Sequence, residues 1–178
     1  KGGLKARLVS ADGKTVYAET AIDAAIGKKW GKHTAELTAN ANDPKAQFEL
    51  VFDGNGTVTL DVVSLFPPTF KNRPNGLRPD LAQLLYNIRP KFVRFPGGCY
   101  VEGQESPENA FHWEKTIGPI EQRPGHKNVN WRYRTSDGMG FDEYLQLAED
   151  LNAKPLYVVN VGLWHGGMTP VDSIQPWI

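Results

Sequence analysis

Arg94 stands inside a short apolar run, residues 91–95 (KFVRF), and the chain then turns through Pro96, Gly97 and Gly98 to its only cysteine, Cys99. A guanidinium among apolar strand residues is tolerable where carboxylates or carbonyls pair with it. Arg94 is therefore either half of a structural ion pair or a group with a functional role. Two consecutive glycines permit backbone angles and close approaches that a Cβ would block, so the turn is either a plain bend at a strand end or a wall built for close contact. Cys99 reads as a small buried filler, the commoner fate of a free cysteine. As a nucleophile it lacks support, since none of the four histidines lies beside it in the sequence. The segment GGCYVEG also lacks the Gly-Lys-Ser/Thr ending of a phosphate loop. Asn160 breaks the apolar run LYVVNV near its end, either as a buried amide bonded to backbone or as a contact to a polar ligand. Trp113, Trp131 and Trp164 follow strand ends, and indoles stack on the apolar faces of sugar rings. Glu102, Glu105 and Glu114 show no spacing that marks two of them as an acid/base pair, and they read as solvated charges.

The elements that must position these residues alternate between helix and strand. Leu81, Leu84, Leu85 and Ile88 recur at helical spacing behind Pro79 and Asp80, a suitable first turn. That helix leads into the strand KFVRF. A second helix, with Phe141, Tyr144, Leu145, Ala148 and Leu151 on one face, leads into the strand PLYVVNV. Short apolar strands separated by amphipathic helices predict parallel βα units, in an open α/β sheet or a (β/α)8 barrel. The 45 residues between Phe95 and Phe141 far exceed the usual connection of ~2–6 residues. Long loops after strands are where such folds place chemistry.

The first 65 or so residues read differently. LKARLVS and TVYAETA flank ADGK, and QFELVF and TVTLDVVSL flank DGNG, so two hairpins are expected from Asp-Gly and Asn-Gly turn chemistry. In the last of these strands Val58, Leu60 and Val62 alternate with polar residues. With KKWGKHTAELTA as a further strand, the region offers about five strands, too few to close a two-sheet sandwich. The division is then a partial β-sandwich over residues 1–66, a proline-rich linker over 67–76, and α/β units over 77–178. The abrupt ends of the sequence suggest a fragment.

Composition narrows the partners. Twenty basic and 20 acidic side chains balance, so charge gives no bias towards nucleic acid or an anionic membrane, and a neutral partner is expected. No apolar run approaches the ~20 residues that cross a bilayer, and no signal peptide is visible at Lys1. A single cysteine excludes an intrachain disulfide but leaves the compartment open, a secreted or periplasmic one included.

Several segments occur together in one order: SLFPPTFKNRPNGLRPDLAQLL, PKFVRFPGGCYVEG, WEKTIGPIEQRPGH, NWRYRTSDGMGFDEYLQLAEDL and PLYVVNVG. In order and spacing they resemble the α-L-arabinofuranosidases of glycoside hydrolase family 51, almost continuously over residues 61–163. The preceding strands resemble the end of a jelly-roll, carbohydrate-binding-type module. The resemblance implies a partial (β/α)8 TIM barrel preceded by part of a β-sandwich, with KFVRF as barrel strand two and PLYVVNV as strand three. It implies retaining cleavage of terminal arabinofuranosyl groups from arabinan or arabinoxylan, with no metal or cofactor. Arg94 matches an arginine beside the catalytic carboxylates, Cys99 a small position touching the sugar, Trp131 a pocket-rim aromatic, and Asn160 a strand-end asparagine for support or sugar contact. The family's two catalytic glutamates, one in an Asn-Glu pair after strand four and one after strand seven, have no counterpart here, and no Asn-Glu dipeptide exists in the chain. The expected partners are an arabinose-containing glycan and either the remainder of the barrel or a second copy of the chain. Two alternatives stay open: another glycosidase of the same fold, such as an endoglucanase or xylosidase, and a non-catalytic carbohydrate-binding protein.

Overall fold

The computed structural model describes residues 3–22 and 28–175, and they divide into two units after Leu60. In the first unit, β1 (Gly3–Val9) lies between β2 (Val16–Ile22) and β3 (Gln47–Asp53), antiparallel to both. The β1–β2 turn forms at ADGK as its residues require. Gly13 takes φ +69°, and the Ser10 N–H donates to the Thr15 carbonyl at 2.9 Å. Leu4, Ala6, Val9 and Ala18 are buried, while on the opposite face Lys5 and Arg7 both pair with Glu19.

Two expected strands are absent. Residues 30–39 run as irregular chain, and residues 57–65 form no ladder, so DGNG is not the turn of a hairpin. Alternation prescribes which side chains share a face, but a strand also needs an edge to pair with. Both edges of β1 are taken by β2 and β3, and although the outer edge of β3 is open, the segment that follows does not pair with it. Val62, at φ 45°, breaks the extended backbone, and Leu60, Val62, Val63 and Leu65 stay exposed.

In the second unit the parallel pair β4 (Phe92–Phe95) and β7 (Lys154–Tyr157) aligns Phe95 with Tyr157. The helices are α1 (Pro79–Ile88), α2 (Cys99–Glu102) and α3 (Phe141–Asp150). Of these, α3 covers one face of the pair: Tyr144 stacks on Phe95 with centroids 4.8 Å apart, and Tyr157 meets Phe141 edge-on at 4.9 Å. Phe92, Arg94 and Leu156 point away from this packing and are exposed. In α1, Pro79 opens the helix and Arg89 closes it in the left-handed region. Only Ala82 is buried, and the expected stripe of Leu81, Leu84, Leu85 and Ile88 faces outward. The long segment after β4 is not structureless. It holds α2, three 3-10 turns, and the hairpin of β5 (His126–Asn128) with β6 (Tyr133–Thr135). A second hairpin, β8 (Leu163–Trp164) with β9 (Gly167–Met168), follows β7.

Residues 67–76, expected as a linker, belong to the second unit. Their polar side chains fasten them to α3. Arg73 pairs with Asp150 at 3.0 Å and Lys71 donates to the Asp150 carbonyl at 2.9 Å. Asn75 donates to Glu143 at 3.0 Å. Glu143 also receives the Gly140 N–H at the start of α3 (2.8 Å) and the guanidinium of Arg123 (2.9 Å), whose side chain is only 3% exposed. Burial alone would raise the Glu143 carboxyl, but the hydrogen bonds from Arg123, Asn75 and Gly140 outweigh it and hold the group below its ordinary 4.5. A lowered folded value stabilises the fold above the ordinary value, and that contribution is lost as pH falls through the lowered one. Glu143→Gln leaves the Arg123 charge buried and unpaired. It should lower the unfolding free energy by about 3 kcal/mol near neutral pH, and urea titrations across the acid limb should show a flatter pH dependence than in the unsubstituted chain.

Candidate functional site

The site grows from the backbone between β4 and α2. Arg94 folds its guanidinium back over Gly97, where any Cβ would collide with Arg94 Nη1. Gly98, at φ +56° and ψ −139°, turns the chain into α2, an angle pair that side chains with a Cβ rarely adopt. The Gly98 carbonyl then accepts the N–H groups of Val101 (3.0 Å) and Glu102 (3.2 Å).

Two carbonyls of α2 collect the surrounding loops. That of Cys99 accepts the Gly103 N–H at 3.0 Å and Asn130 Nδ2 at 2.9 Å. That of Val101 accepts the Phe111 N–H at 3.1 Å and Asn160 Nδ2 at 2.9 Å. Asn130 precedes Trp131 in the β5–β6 turn, where the Trp131 N–H donates to Oδ1 of the buried Asn128 at 3.1 Å. The amide of Asn160 is fully used: its second Nδ2 proton goes to the Leu163 carbonyl at 2.7 Å, and Oδ1 accepts the N–H groups of Gly162 (2.6 Å) and Leu163 (2.7 Å).

Three of the four residues singled out from the sequence meet residues 97–101 directly, Arg94 over Gly97, Cys99 within the stretch and Asn160 at the Val101 carbonyl, while Trp131 is linked to it only through its neighbour Asn130. Arg94 is exposed, and among the described residues no carboxylate pairs with it. Of the two readings of Arg94, the structural ion pair is not found among the described residues, because β4 is uncovered on the Arg94 face and the charge stays in water at no desolvation cost. Cys99 is a half-buried free thiol. Trp131 is 56% exposed and Asn160 only 4%. The other aromatics and two of the three acids are otherwise engaged, while Glu105 is exposed. Trp113 packs on Phe141 at 5.2 Å, Trp164 lies across Gly166 and Gly167, Glu102 pairs with His165 at 2.9 Å, and Glu114 with His112 at 3.2 Å.

One cluster escaped the sequence reading. His126 and Asp137, both buried, meet at 2.9 Å, and Tyr100 of α2 donates to the same carboxylate at 3.4 Å. Burial foremost, with the nearby Asp137 charge, pushes the Tyr100 hydroxyl well above its ordinary value. A histidine and an aspartate 11 residues apart at the two ends of a hairpin share no period. The only signal was turn chemistry, RPG before one and SDG around the other.

With this geometry in view, the structure overlays the arabinose-bound MgGH51 α-L-arabinofuranosidase with a TM-score of 0.82 and 36% identity, over 98% of this chain and 29% of that one. The α/β fold is thus one found in a glycoside hydrolase. The family model "Alpha-L-arabinofuranosidase 1 domain" matches residues 84–178. Alpha-L-arabinofuranosidase 1 of Arabidopsis thaliana is 41% identical over 177 residues, 98% of this chain. Probable alpha-L-arabinofuranosidase A of Aspergillus terreus is 37% identical over 187 residues, 99% of this chain. The chain belongs to the family 51 α-L-arabinofuranosidases. It spans 26% of the Arabidopsis protein and 30% of the Aspergillus one.

The saturated amide of Asn160 has a measurable consequence. Asn160→Ala strands the buried Gly162 N–H and the half-buried Leu163 N–H and weakens two carbonyls, and should cost about 3 kcal/mol of unfolding free energy. Asn160→Asp should not restore it, because a carboxylate would face the Val101 and Leu163 carbonyls without a proton to donate. Denaturant melts of both variants beside the unsubstituted chain check this.

Proposed function

We propose that this chain is the part of a retaining α-L-arabinofuranosidase that forms one wall of its arabinose pocket, in a protein that removes terminal arabinofuranosyl groups from arabinan or arabinoxylan. The observation that carries the reading is the turn into α2, where Arg94 lies over Gly97, Cys99 opens the helix and Asn130, the neighbour of Trp131, binds the Cys99 carbonyl, in a chain 41% identical to a named arabinofuranosidase. In this reading β4 and β7 are strands two and three of a (β/α)8 barrel, and the first unit, to Leu60, is part of a jelly-roll sandwich. The uncovered face bearing Phe92, Arg94 and Leu156 lies against the remainder of the barrel.

The chemistry divides between the two parts. Retaining cleavage needs two carboxylates ~5–5.5 Å apart, one as nucleophile and one as general acid/base. Both come from the remainder of the protein. Within this chain, Arg94 supports their negative charge, the Trp131 indole stacks on a face of the sugar ring, and the Cys99 thiol touches a hydroxyl. Asn160 acts from behind, holding α2 in place.

Since catalytic residues that act as a unit are not replaced piecemeal, the purified chain should not turn over an aryl α-L-arabinofuranoside. Turnover should appear when the C-terminal remainder of the protein is supplied separately. Hydrolysis by the chain alone at the rate of the longer protein would overturn the assignment of both carboxylates to the remainder.

A further inference from the structure

We propose that Asp137 and His126 are positioning residues that set the Trp131 turn against α2, with Asp137 holding His126 as the tautomer protonated on Nδ1. The inference rests on the preceding reading for its link to sugar binding, but its structural half stands independently.

Asp137 follows β6 and His126 opens β5, so the pair closes the base of the hairpin whose tip carries Asn130 and Trp131. Asp137 is 4% exposed and His126 8%. Oδ1 of Asp137 lies 2.9 Å from His126 Nδ1 and also receives the hydroxyls of Tyr100 and Thr135, each at 3.4 Å. The Asp137 N–H is tied to Thr135 Oγ1 at 3.0 Å. One carboxylate oxygen thus joins both hairpin strands to α2, in the residue next to Cys99.

The tautomer follows from the surroundings. His126 Nε2 is buried and has no hydrogen-bond partner. The ring sits among the aromatic rings of Tyr100, 5.3 Å away, and Phe111, 6.1 Å away. A proton on Nε2 would find no acceptor, whereas one on Nδ1 points at a carboxylate. In that form the imidazole is a flat spacer between the hairpin and the Tyr100–Phe111 pair, with its rotation fixed by Asp137. The tip is fastened separately by the Asn130 bond to the Cys99 carbonyl. Base and tip together fix where the exposed indole of Trp131 stands relative to the Cys99 thiol.

The test begins with the full chain labelled with 15N. Long-range imidazole spectra should show His126 protonated on Nδ1, and finding the proton on Nε2 alone overturns the proposal without any variant. In Asp137→Ala the Trp131 indole N–H signal, assigned with Trp131→Phe, should move or broaden while the Trp164 signal in the other hairpin holds. Asp137→Asn, which keeps an acceptor for His126, should leave both in place. In the enzyme reconstituted with its C-terminal remainder, Asp137→Ala should raise KM for an aryl α-L-arabinofuranoside roughly tenfold, with a smaller change in kcat, and Asp137→Asn should stay within about twofold. An unmoved Trp131 signal in Asp137→Ala, or equal damage from both variants, contradicts the proposal. If Asp137 governs the Trp131 signal but the reconstituted protein hydrolyses no arabinofuranoside, positioning stands and the arabinofuranosidase reading fails. Should Asp137→Ala not fold, the tautomer and the Asp137→Asn spectrum decide.

Discussion

The carbonyls of Cys99 and Val101 each accept two hydrogen bonds, one from backbone and one from an asparagine side chain brought from a distant loop. A helix as short as α2, four residues long, has no stability of its own. Its persistence depends on these external donors and on Val101, Ala110 and Phe111, which are buried nearby. Because both asparagines reach the same backbone, the β5–β6 turn, the β8–β9 hairpin and the end of β4 are located by one another. Of the exposed groups on that frame, Arg94 lies over Gly97 and Trp131 is held through its own N–H bond to Asn128 and the Asn130 bond to Cys99.

The rest of the second unit supports this arrangement from behind. The aromatic layer of Phe95, Tyr144, Tyr157 and Phe141 packs α3 on the parallel pair, and Glu143 joins the start of α3 to Arg123 and Asn75. Thr116, fully buried, donates to the Trp113 carbonyl at 2.7 Å and accepts the Phe141 N–H at 2.9 Å. The long post-strand segment is thereby pinned at both ends and can hold a fixed shape with little regular structure. Phe92 and Leu156 on the opposite face of the pair, beside Arg94, and the leucine stripe of α1 remain exposed, the reverse of what a finished core requires.

Much of the framework was legible in the sequence because it is periodic. Leu81, Leu84, Leu85 and Ile88 marked a helix, Phe141 through Leu151 marked the one that covers the sheet, and ADGK marked a turn with a glycine at positive φ. Residues 57–65 carried an equally clear alternation and form no strand, since alternation says nothing about the backbone, which Val62 at φ 45° takes out of the extended region. The leucines of α1 show the same limit: spacing fixed the helix but not what lies against it. Within the site, Arg94, Cys99, Trp131 and Asn160 stood out by type and position. The bonds that organise them did not, because Asn130 to Cys99 and Asn160 to Val101 span 31 and 59 residues with no repeating signal. His126 and Asp137 were invisible for the same reason.

The α2 segment and the loops attached to its carbonyls form one cooperative unit. Hydrogen exchange resolved to single amides tests it most directly. The N–H groups of Val101, Gly103, Phe111, Gly162 and Leu163, all engaged in the bonds described above, should exchange at a common slow rate and accelerate together as denaturant is added. Fast and independent exchange of Val101 and Gly103, while the β4–β7 amides stay protected, would contradict the account.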